Sequence, residues 1–563
     1  MEQSIRKRRS IVLLVLSIAV IVAAVLVLDR FSLRLDLSSD GANTLSNTSR
    51  QLYKEIPEQV RLTYYLTSIL ADRYAGPRAV EDLVRSLASA SHGKIAVEVV
   101  DPASEKKESA IEALGVTPRQ LPIVERNEQR VVLVYSGIVV QYLGHTQVLP
   151  FVLSTETLEY DLVKAIKAAV ADKKPTAAIL VGDEQKSLAN NYRALSDAFK
   201  QSGWDTKEVK PGDLIPPETS VLFVLGNSAL DDYDVYRIDA YLASGGKAFF
   251  AVKGIDVQVA QSIAAAPLKN DALLRALESY GVKVDRELVL DPSSLTIGFQ
   301  TATPEGGQGI SYQRYPHWVM TRPEFRDGKS PLTAHLAGLD LFWPSPLESI
   351  AKPGVDYAAI VKTTPKAWLQ KSRFAVSPEE AALYTAEAGS TTGQYALAAT
   401  LSGALPPAYA GKPIPARSGA AALPALPTAA RPSRIVVVGS SEFATDLMGV
   451  KSPINDSMFN ADFVVTAGDW LSSGDDLVSI KARGTRDSRL AKVEDPELRS
   501  ALISLAYVVN LGLVPLLVLG FGLARSMKRR RLAKDEAQQR STGNIGLSAG
   551  RGPANGGDAE GGK

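Results

Sequence analysis

The chain contains no cysteine among its 563 residues. Disulfides, thiol nucleophiles, thiolate zinc sites and redox CxxC chemistry are therefore excluded. The net charge is only +2, from 63 Lys and Arg against 61 Asp and Glu, so the composition favours no general binding to nucleic acid. The four histidines (His92, His145, His317 and His335) are isolated and lack the HExxH spacing of a zinc site. The sequence thus predicts neither a metal site nor a cofactor.

Two common catalytic motifs are incomplete. The GKS at residues 328–330 would end a P-loop, but the position of the first P-loop glycine is Pro323. Residues 439–443 (GSSEF) begin like a nucleophile elbow GxSxG but end on Phe443. Ser441 remains a candidate nucleophile, with an N-cap serine at a strand-to-helix turn as the alternative interpretation. The chain therefore shows no nucleotide-hydrolysing site of the P-loop type.

Long hydrophobic runs lie near both ends of the chain. Residues 11–28 carry no charge and, as a helix, would span roughly 27 Å, close to the thickness of a bilayer core. Basic residues at 6–9 precede this run, and residues 501–524 are followed by Arg525 and by basic residues at 528–531. The positive-inside rule then places both termini in the cytoplasm. The alternative for residues 11–28 is a cleaved signal peptide, but no small-x-small cleavage site follows them.

These features predict a two-pass protein of the inner (cytoplasmic) membrane. Residues 1–10 would form a basic cytoplasmic N-terminus, and residues 525–563 a basic and then disordered cytoplasmic tail. The bulk of the chain between the two membrane helices would be extracytoplasmic, in the periplasm.

The first outer domain is predicted over residues 31–153. Strands are predicted at 59–67 and 94–100, helices at 77–90 and near 108–114, and a β-rich close at 130–141 and 146–152. The order β-α-β-α-β-β is typical of a thioredoxin-like domain. Residues 71–76 (ADRYAG) stand where a redox pair would lie, so the fold would serve binding or structure. A linking helix is expected at 155–171.

An α/β domain is predicted over residues 174–483. Strands at 177–182, 221–226 and 248–252 alternate with helices at 189–202 and 231–247, which favours an open parallel sheet of the flavodoxin-like kind. The pattern is lost over about 300–430, where we expect an irregular insertion or a set of loops. It returns with a strand and turn at 434–446, a helix at 459–472 and a final strand near 477–480.

Polar residues follow two of these strands. Asp183 and Glu184 come after the first strand, at the carboxyl end where open sheets bind ligands. Gly439, Ser440 and Ser441 follow the strand that begins at 434. We interpret these five residues as a candidate ligand or partner crevice, with solvated loop carboxylates as the alternative.

Several segments, in order, resemble the GldG-like auxiliary proteins of ABC transporters, a family that includes gliding-motility components. The resemblance rests on LDLSSDGANTLSNTSRQLYKEIPEQVRLTYYLT (35–67), VLFVLGNSALDDYDVYRIDAYLASGGKAFFAVKG (221–254), ALESYGVKVDRELVLDP (276–292), RYPHWV (314–319), VVVGSSEFATD (436–446) and DWLSSGDDLVSIKAR (469–483). It implies a large extracytoplasmic region whose α/β part resembles glutamine-amidotransferase-like folds. It also implies an ABC permease and a cytoplasmic ABC ATPase as partners. Without cysteine, amidotransferase activity is not implied.

Three functions remain open on this evidence. The first is a non-catalytic auxiliary subunit of an ABC-type export or gliding-motility-like complex, with membrane lipid around its helices and an extracytoplasmic polymer or protein cargo outside. The second is a membrane-tethered hydrolase or glycan-binding or glycan-modifying protein that uses Asp183, Glu184 or Ser441. The third is a ligand-binding sensor. The absent P-loop and the incomplete motifs favour the first.

Overall fold

A computed structural model describes residues 45–480, except 103–107, 126–127, 172, 260–262, 303–306, 334–335, 337, 378–379, 381–382, 386–391, 447–457, 474–477 and 479, together with residues 520 and 522. The chain forms two compact units, Met1–Arg486 and Asp487–Lys563. The predicted membrane helix at 11–28 lies outside the described residues, as do residues 1–10, 525–563 and almost all of 501–524. No helix within the described part of the chain is long and apolar enough to cross a membrane.

In the N-terminal part, up to residue 170, the described residues form a four-stranded sheet, a separate hairpin, five α-helices and a short 3₁₀ helix (Leu52–Glu55). The helices are α1 (Asn47–Gln51), α2 (Ser68–Arg73), α3 (Ala75–Ala90), α4 (Glu108–Ala113) and α5 (Leu158–Val170). The strands are β1 (Val60–Leu66), β2 (Ile95–Val100), β3 (Arg119–Glu125), β4 (Glu128–Val134), β5 (Ser136–Tyr142) and β6 (His145–Leu149).

The four-stranded sheet has the order β2-β1-β5-β6, with β1 parallel to β2 and antiparallel to β5. Apolar side chains alternate along β5: Ile138 packs with α3 and α5, and Val139 packs with α4. Helices therefore cover both faces of this sheet, and side chains on both sides of β5 are buried. The hairpin of β3 and β4 forms its own two-stranded sheet, and strand β3 was not predicted. The thioredoxin-like assignment stays a prediction.

The second part, from residue 176, is built on a nine-stranded sheet. Its helices are α6 (Leu188–Asn191), α7 (Arg193–Gln201), α8 (Asp232–Ala243), α9 (Ala272–Tyr280) and α10 (Met458–Ser473). Its first strands are β7 (Thr176–Val181), β8 (Asp205–Val209), β9 (Val221–Leu225), β10 (Ala248–Ala251), β11 (Ile255–Val259), β12 (Ile263–Pro267), β13 (Val282–Val284) and β14 (Leu288–Leu290).

The remaining strands lie beyond residue 290. They are β15 (Ser294–Ala302), β16 (Gln308–Met320), β17 (Asp340–Phe342), β18 (Leu347–Ser349), β19 (Val355–Lys362), β20 (Trp368–Gln370), β21 (Ala396–Gly403) and β22 (Ser433–Val438).

The large sheet has the order β13-β18-β21-β22-β10-β9-β7-β8, and β19 pairs with β21. The five strands from β22 to β8 are parallel, as predicted for four of them; β8 was not predicted. Strands β13, β18, β19 and β21 add an antiparallel part. The α/β class is confirmed, but the sheet is mixed. In chain order the parallel strands run 2-1-3-4-5, so the connections change direction between β7 and β9.

Both faces of the large sheet are buried. One face packs with α7 and α10 through the alternate strand residues Ile179, Phe223, Phe249 and Val436. The other packs with α8 and α9 through Leu180, Val224, Phe250 and Val437. Burial on both sides explains why these parallel strands are continuous hydrophobic runs in the sequence.

The region 300–430 differs from its prediction as an irregular insertion. Strand β21 lies between β22 and β18 in the large sheet, so part of this region completes the main fold. Its residues 404–432, which we call the strap, join β21 to β22 and run along α8. The strap is fixed there because the hydroxyls of Tyr233 and Tyr236 donate to the carbonyls of Ala421 and Pro424. A Pro- and Ala-rich composition concealed an ordered segment.

Two further predictions need correction. The run near 477–480 was predicted to be the last strand, but Val478 and Ile480 are helical, with Val478 in the core of the large sheet and Ile480 in that of the four-stranded sheet. A short apolar run does not distinguish a strand from a buried helix. The predicted helix 189–202 is interrupted at Tyr192, whose φ and ψ are −138° and 34°.

Candidate functional site

The candidate site lies at the carboxyl ends of β7, β9, β10 and β22. The loops that follow these strands carry Asp183, Asn227, Lys253 and Ser441. The change of direction between β7 and β9 is the place where open α/β sheets bind ligands. Asp183, which we selected for its position after the first strand, therefore lies in a cluster of polar side chains.

Asp183 is the centre of this cluster, with its side chain 1% exposed. One carboxylate oxygen accepts hydrogen bonds from the backbone N–H groups of Asn227 (3.0 Å) and Ser228 (3.2 Å) and from the Ser228 hydroxyl (3.0 Å). The other accepts from the ammonium groups of Lys253 (3.0 Å) and Lys186 (3.2 Å). Five donors thus surround one buried carboxylate.

The charges around Asp183 determine its protonation. Burial alone would raise the pKa of the carboxyl, but Lys253 and Lys186 favour the ionised form and lower the pKa to about 2. Burial similarly opposes the charge on Lys253, yet Asp183 and Asp256 raise its pKa above the usual value. At neutral pH the pair is ionised, and Asp183 is not a proton donor.

Lys186 connects Asp183 to the loop after β22. Its ammonium group also contacts Glu442, which follows Ser441. The backbone between Glu184 and Lys186 is strained, since Gln185 has a φ of 62°. One lysine therefore bridges carboxylates that lie 259 positions apart in the chain (183 and 442).

Close backbone contacts keep this edge shut. Gly226, after β9, has a φ of 85°, and a Cβ atom there would lie 2.3 Å from Cγ of Asp183. A Cβ atom on Gly439 would lie 2.1 Å from the carbonyl oxygen of Ser345. Glycine at these two positions lets the loops approach closely. Clefts of 260–380 Å³ lie elsewhere on the described part of the chain, and none of these four is lined by the five predicted site residues.

The five predicted residues have different environments. Asp183 and Ser441 are buried and close to the lysine bridge, whereas Glu184 is exposed and contributes a backbone N–H to the Ser228 hydroxyl (3.3 Å). Ser440 is buried and donates to the carbonyl of Phe342 (2.7 Å). Ser441 occupies the N-cap position of a short 3₁₀ helix but makes no capping bond.

Ser441 lacks the environment of an activated nucleophile. Its hydroxyl lies 3.4 Å from a Glu442 oxygen, and that same oxygen is bound by Lys186. His317, a buried histidine, contacts Gln370 instead (3.3 Å), and burial lowers its pKa to about 4. His335 lies outside the described residues. Within the described ranges, no group of three or more His, Asp and Glu residues could hold a metal ion.

One polar group in this neighbourhood has no hydrogen-bond partner among the described residues. The hydroxyl of Tyr192 is completely buried. Burial and the nearby negative charges of Asp183 and Glu442 raise its pKa well above the usual range. Tyr192 therefore stays protonated.

Sequence reasoning missed Lys186, Asn227, Ser228, Lys253 and Glu442. A usable signal was present, since Asn227 and Lys253 stand one or two positions after buried strands, like Asp183. The pairing itself was not visible, because Lys253 and Asp183 are 70 residues apart.

The second part of the chain, which carries the large sheet, matches a known protein family. Residues 174–467 match the family ABC_transp_aux, described as an ABC-type uncharacterized transport system. The match covers 294 of 563 residues, more than half. The chain belongs to this family. The residues that match this ABC transporter auxiliary family include the whole large sheet and the Asp183 cluster.

Two further similarities extend the comparison. Residues 39–141 match a domain of unknown function (DUF7088), which corresponds to most of the N-terminal part. An uncharacterized protein of Borreliella burgdorferi strain B31 is 24% identical over 510 residues, which are 88% of this chain and 94% of that protein. This member of the ABC transporter auxiliary family and the Borreliella protein are therefore similar along most of both chains.

Proposed function

We propose that this chain is a non-catalytic auxiliary subunit of an ABC-type export or gliding-motility-like complex, of the GldG-like kind. Membership of the ABC transporter auxiliary family carries the proposal. An ABC permease and a cytoplasmic ABC ATPase are the partners, and ATP hydrolysis belongs to the ATPase. The sequence agrees, because its only GKS lacks the first glycine of a P-loop.

The non-catalytic role is supported by the state of the candidate site. Asp183 and Glu442 are both held by Lys186, and the Ser441 hydroxyl has no free base beside it. A general base needs access to its substrate and a pKa near the working pH. A carboxylate with five donors and a pKa of about 2 meets neither requirement. We assign this cluster to the stability of the fold.

Membrane anchoring is the second element of the proposal. The hydrophobic runs 11–28 and 501–524 would be the two membrane helices, and the basic residues beside them would keep both termini in the cytoplasm. The described region would then lie outside the cytoplasm and bind a protein or polymer cargo. A reporter fused after Arg531 should be cytoplasmic, and a reporter inserted at 306–307 should be extracytoplasmic. The opposite pattern would contradict this topology.

We propose that the domain built on the N-terminal sheet binds a partner. Its order β2-β1-β5-β6, with α5 after the last strand, suits a thioredoxin-like domain used without redox chemistry. Such a domain would offer its surface to a protein partner. We propose this use because the chain has no cysteine with which to exchange electrons.

Purification in mild detergent tests the proposed function. The full chain should carry an ABC ATPase and a multi-helix permease with it, and recovery of the intact chain alone would contradict the proposal. The alternative, a hydrolase or glycan-modifying enzyme, predicts turnover by the purified chain and loss of turnover in Glu184→Ala or Ser441→Ala. These variants are preferable to Asp183→Ala, because that change would also break the buried ion pair with Lys253.

A further inference from the structure

Asp469, on α10, lies where the four-stranded and nine-stranded sheets meet. Its side chain is 5% exposed. The carboxylate accepts hydrogen bonds from the Tyr160 hydroxyl and the Lys164 ammonium (2.6 Å), both on α5, and from the Trp204 indole N–H (3.0 Å). Tyr160 belongs to the core of the four-stranded sheet and Trp204 to that of the large sheet. One carboxylate therefore joins the two parts.

Asp469 is fixed to the large sheet by close packing. At the preceding residue, Gly468, a Cβ atom would lie 2.9 Å from the ring of Phe223 and 3.3 Å from that of Trp204. Helix α10 thus lies directly on β9, and no larger residue fits between them. If the two parts move relative to each other, Asp469 moves with the large sheet and separates from Tyr160 and Lys164.

The junction beside Asp469 is open. A cleft of about 320 Å³ lies there. It is lined by residues 147–152 next to β6, by α5, by the turn 201–203 after α7, and by α10. A gap of this size lacks the dispersion contacts of a packed core. Beside this cleft, the two parts meet through the polar contact at Asp469.

Helix α5 also holds the start of the described region. Glu159, the neighbour of Tyr160, accepts hydrogen bonds from the backbone N–H of Ser46 (2.7 Å) and from the Ser49 hydroxyl. At the other end, Ile480 enters the core to which α5 contributes. The first and the last described segments of this region thus meet at one helix.

We infer that Tyr160, Lys164 and Asp469 form the latch of a hinge between the two sheets. With the latch closed, the angle between the sheets is fixed; with it open, the cleft beside Asp469 widens. The contact suits this role because it is charged and the Lys164 side chain is 19% exposed, so water can reach the ammonium group when it leaves Asp469. The inference is independent of the transport partners.

Distance measurement between two spin labels tests the latch. Because the full chain contains no cysteine, Arg78→Cys on α3 and Lys200→Cys on α7 would carry the only labels. Both side chains are more than 60% exposed. We expect a single narrow distance with the latch intact. Asp469→Asn, which keeps the size but removes the charge, should lose this distance in favour of a broad distribution.

Two further variants separate the latch from general damage. Lys164→Met keeps most of the side-chain stem and should broaden the distances as Asp469→Asn does; it decides the matter if Asp469→Asn does not fold. Lys167→Met, on the same helix α5, removes an ion pair with Glu55 (2.9 Å) that lies wholly within the N-terminal part, and it should keep the narrow distance. The latch is refuted if the intact chain already gives broad distances, if both latch variants stay narrow, or if Lys167→Met broadens equally.

Discussion

The carboxyl edge of the large sheet and the contact of the strap with α8 each bury an aspartate, and the two aspartates behave in opposite ways. Asp183 faces two ammonium groups, which hold its pKa at about 2. Asp239, on α8, accepts only neutral donors, namely the backbone N–H groups of Ala408 and Tyr409 and the hydroxyl of Tyr280 (2.9–3.0 Å). There burial prevails and raises the pKa of Asp239. The charge of the donors, more than their number, decides the state of a buried carboxyl.

The largest effect is expected for Asp183→Ala. It would leave buried Lys253 with Asp256 as its remaining ion-pair partner among the described residues. Breaking a buried ion pair from one side costs about 3–5 kcal/mol. Urea unfolding of the full chain in detergent, followed by tryptophan fluorescence, would measure this loss. Glu184→Ala, the exposed neighbour, should change the free energy of unfolding by less than about 0.5 kcal/mol. Equal effects of the two variants would contradict the account.

Acid should separate the two aspartates. The pKa of Asp183 is lowered from 3.8 to about 2, so the folded state keeps this carboxylate ionised where the unfolded state takes up a proton. The ionised carboxylate contributes about 2 kcal/mol to the free energy of unfolding. This stabilisation is fully present above pH 3.8 and is lost as the pH falls towards 2. Relative to the unmodified chain, Asp183→Asn should therefore lose less stability over this range.

Asp239 should give the opposite sign. Because the pKa of Asp239 is raised in the folded state, the folded chain takes up the proton at a higher pH than the unfolded chain. The contribution of Asp239 to the free energy of unfolding therefore grows as the pH falls through the folded pKa towards 3.8. Asp239→Asn should therefore lose stability more steeply than the unmodified chain when the free energy of unfolding is measured from pH 6 to 3. Parallel curves for Asp183→Asn and Asp239→Asn would show that the two sites do not differ.

Asp239 holds the strap through neutral hydrogen bonds, so loss of its carboxylate should cost less than loss of the Asp183 ion pair. Asp239→Ala leaves the N–H groups of Ala408 and Tyr409 without this acceptor, which costs about 1–3 kcal/mol. It should also speed proteolytic cleavage within 404–432, as mass spectrometry of the fragments would show. Unchanged cleavage would mean that other contacts hold the strap.

The smallest effect is expected for Tyr409→Phe. The variant removes the hydroxyl that donates to Asp232 (2.7 Å) but keeps the ring against Tyr236. Loss of one partly buried hydrogen bond costs about 1 kcal/mol. The midpoint of urea unfolding should shift accordingly, without faster cleavage of the strap. A loss as large as that of Asp183→Ala would contradict the comparison.

Local patterns predicted much of this fold. The buried parallel strands β7, β9, β10 and β22 were predicted because each is a continuous hydrophobic run in the sequence. Strand β8 was missed because its sequence, DTKEV, is polar, as suits an exposed edge. Strand β21 was missed because its Ala- and Gly-containing sequence continues into the Pro-rich strap.

The sequence predicted where in the fold the candidate site lies, but not which side chains meet there. Asp183 could be selected by its position after a buried strand, but its partners Lys253 and Glu442 come from distant loops. The same limit applies to Asp469, whose partner Tyr160 is 309 positions away. No spacing rule connects such residues before the fold brings them together.

The central claim is that this chain acts through an ABC-type complex and performs no chemistry of its own. Its most direct test is quantitative mass spectrometry of the complex captured in mild detergent through the intact chain, beside a control that lacks residues 501–524. The account predicts an ABC ATPase and a permease in amounts comparable to the intact chain, and their loss from the control. Capture of the intact chain alone, with the detergent shown to preserve other membrane complexes, would contradict it.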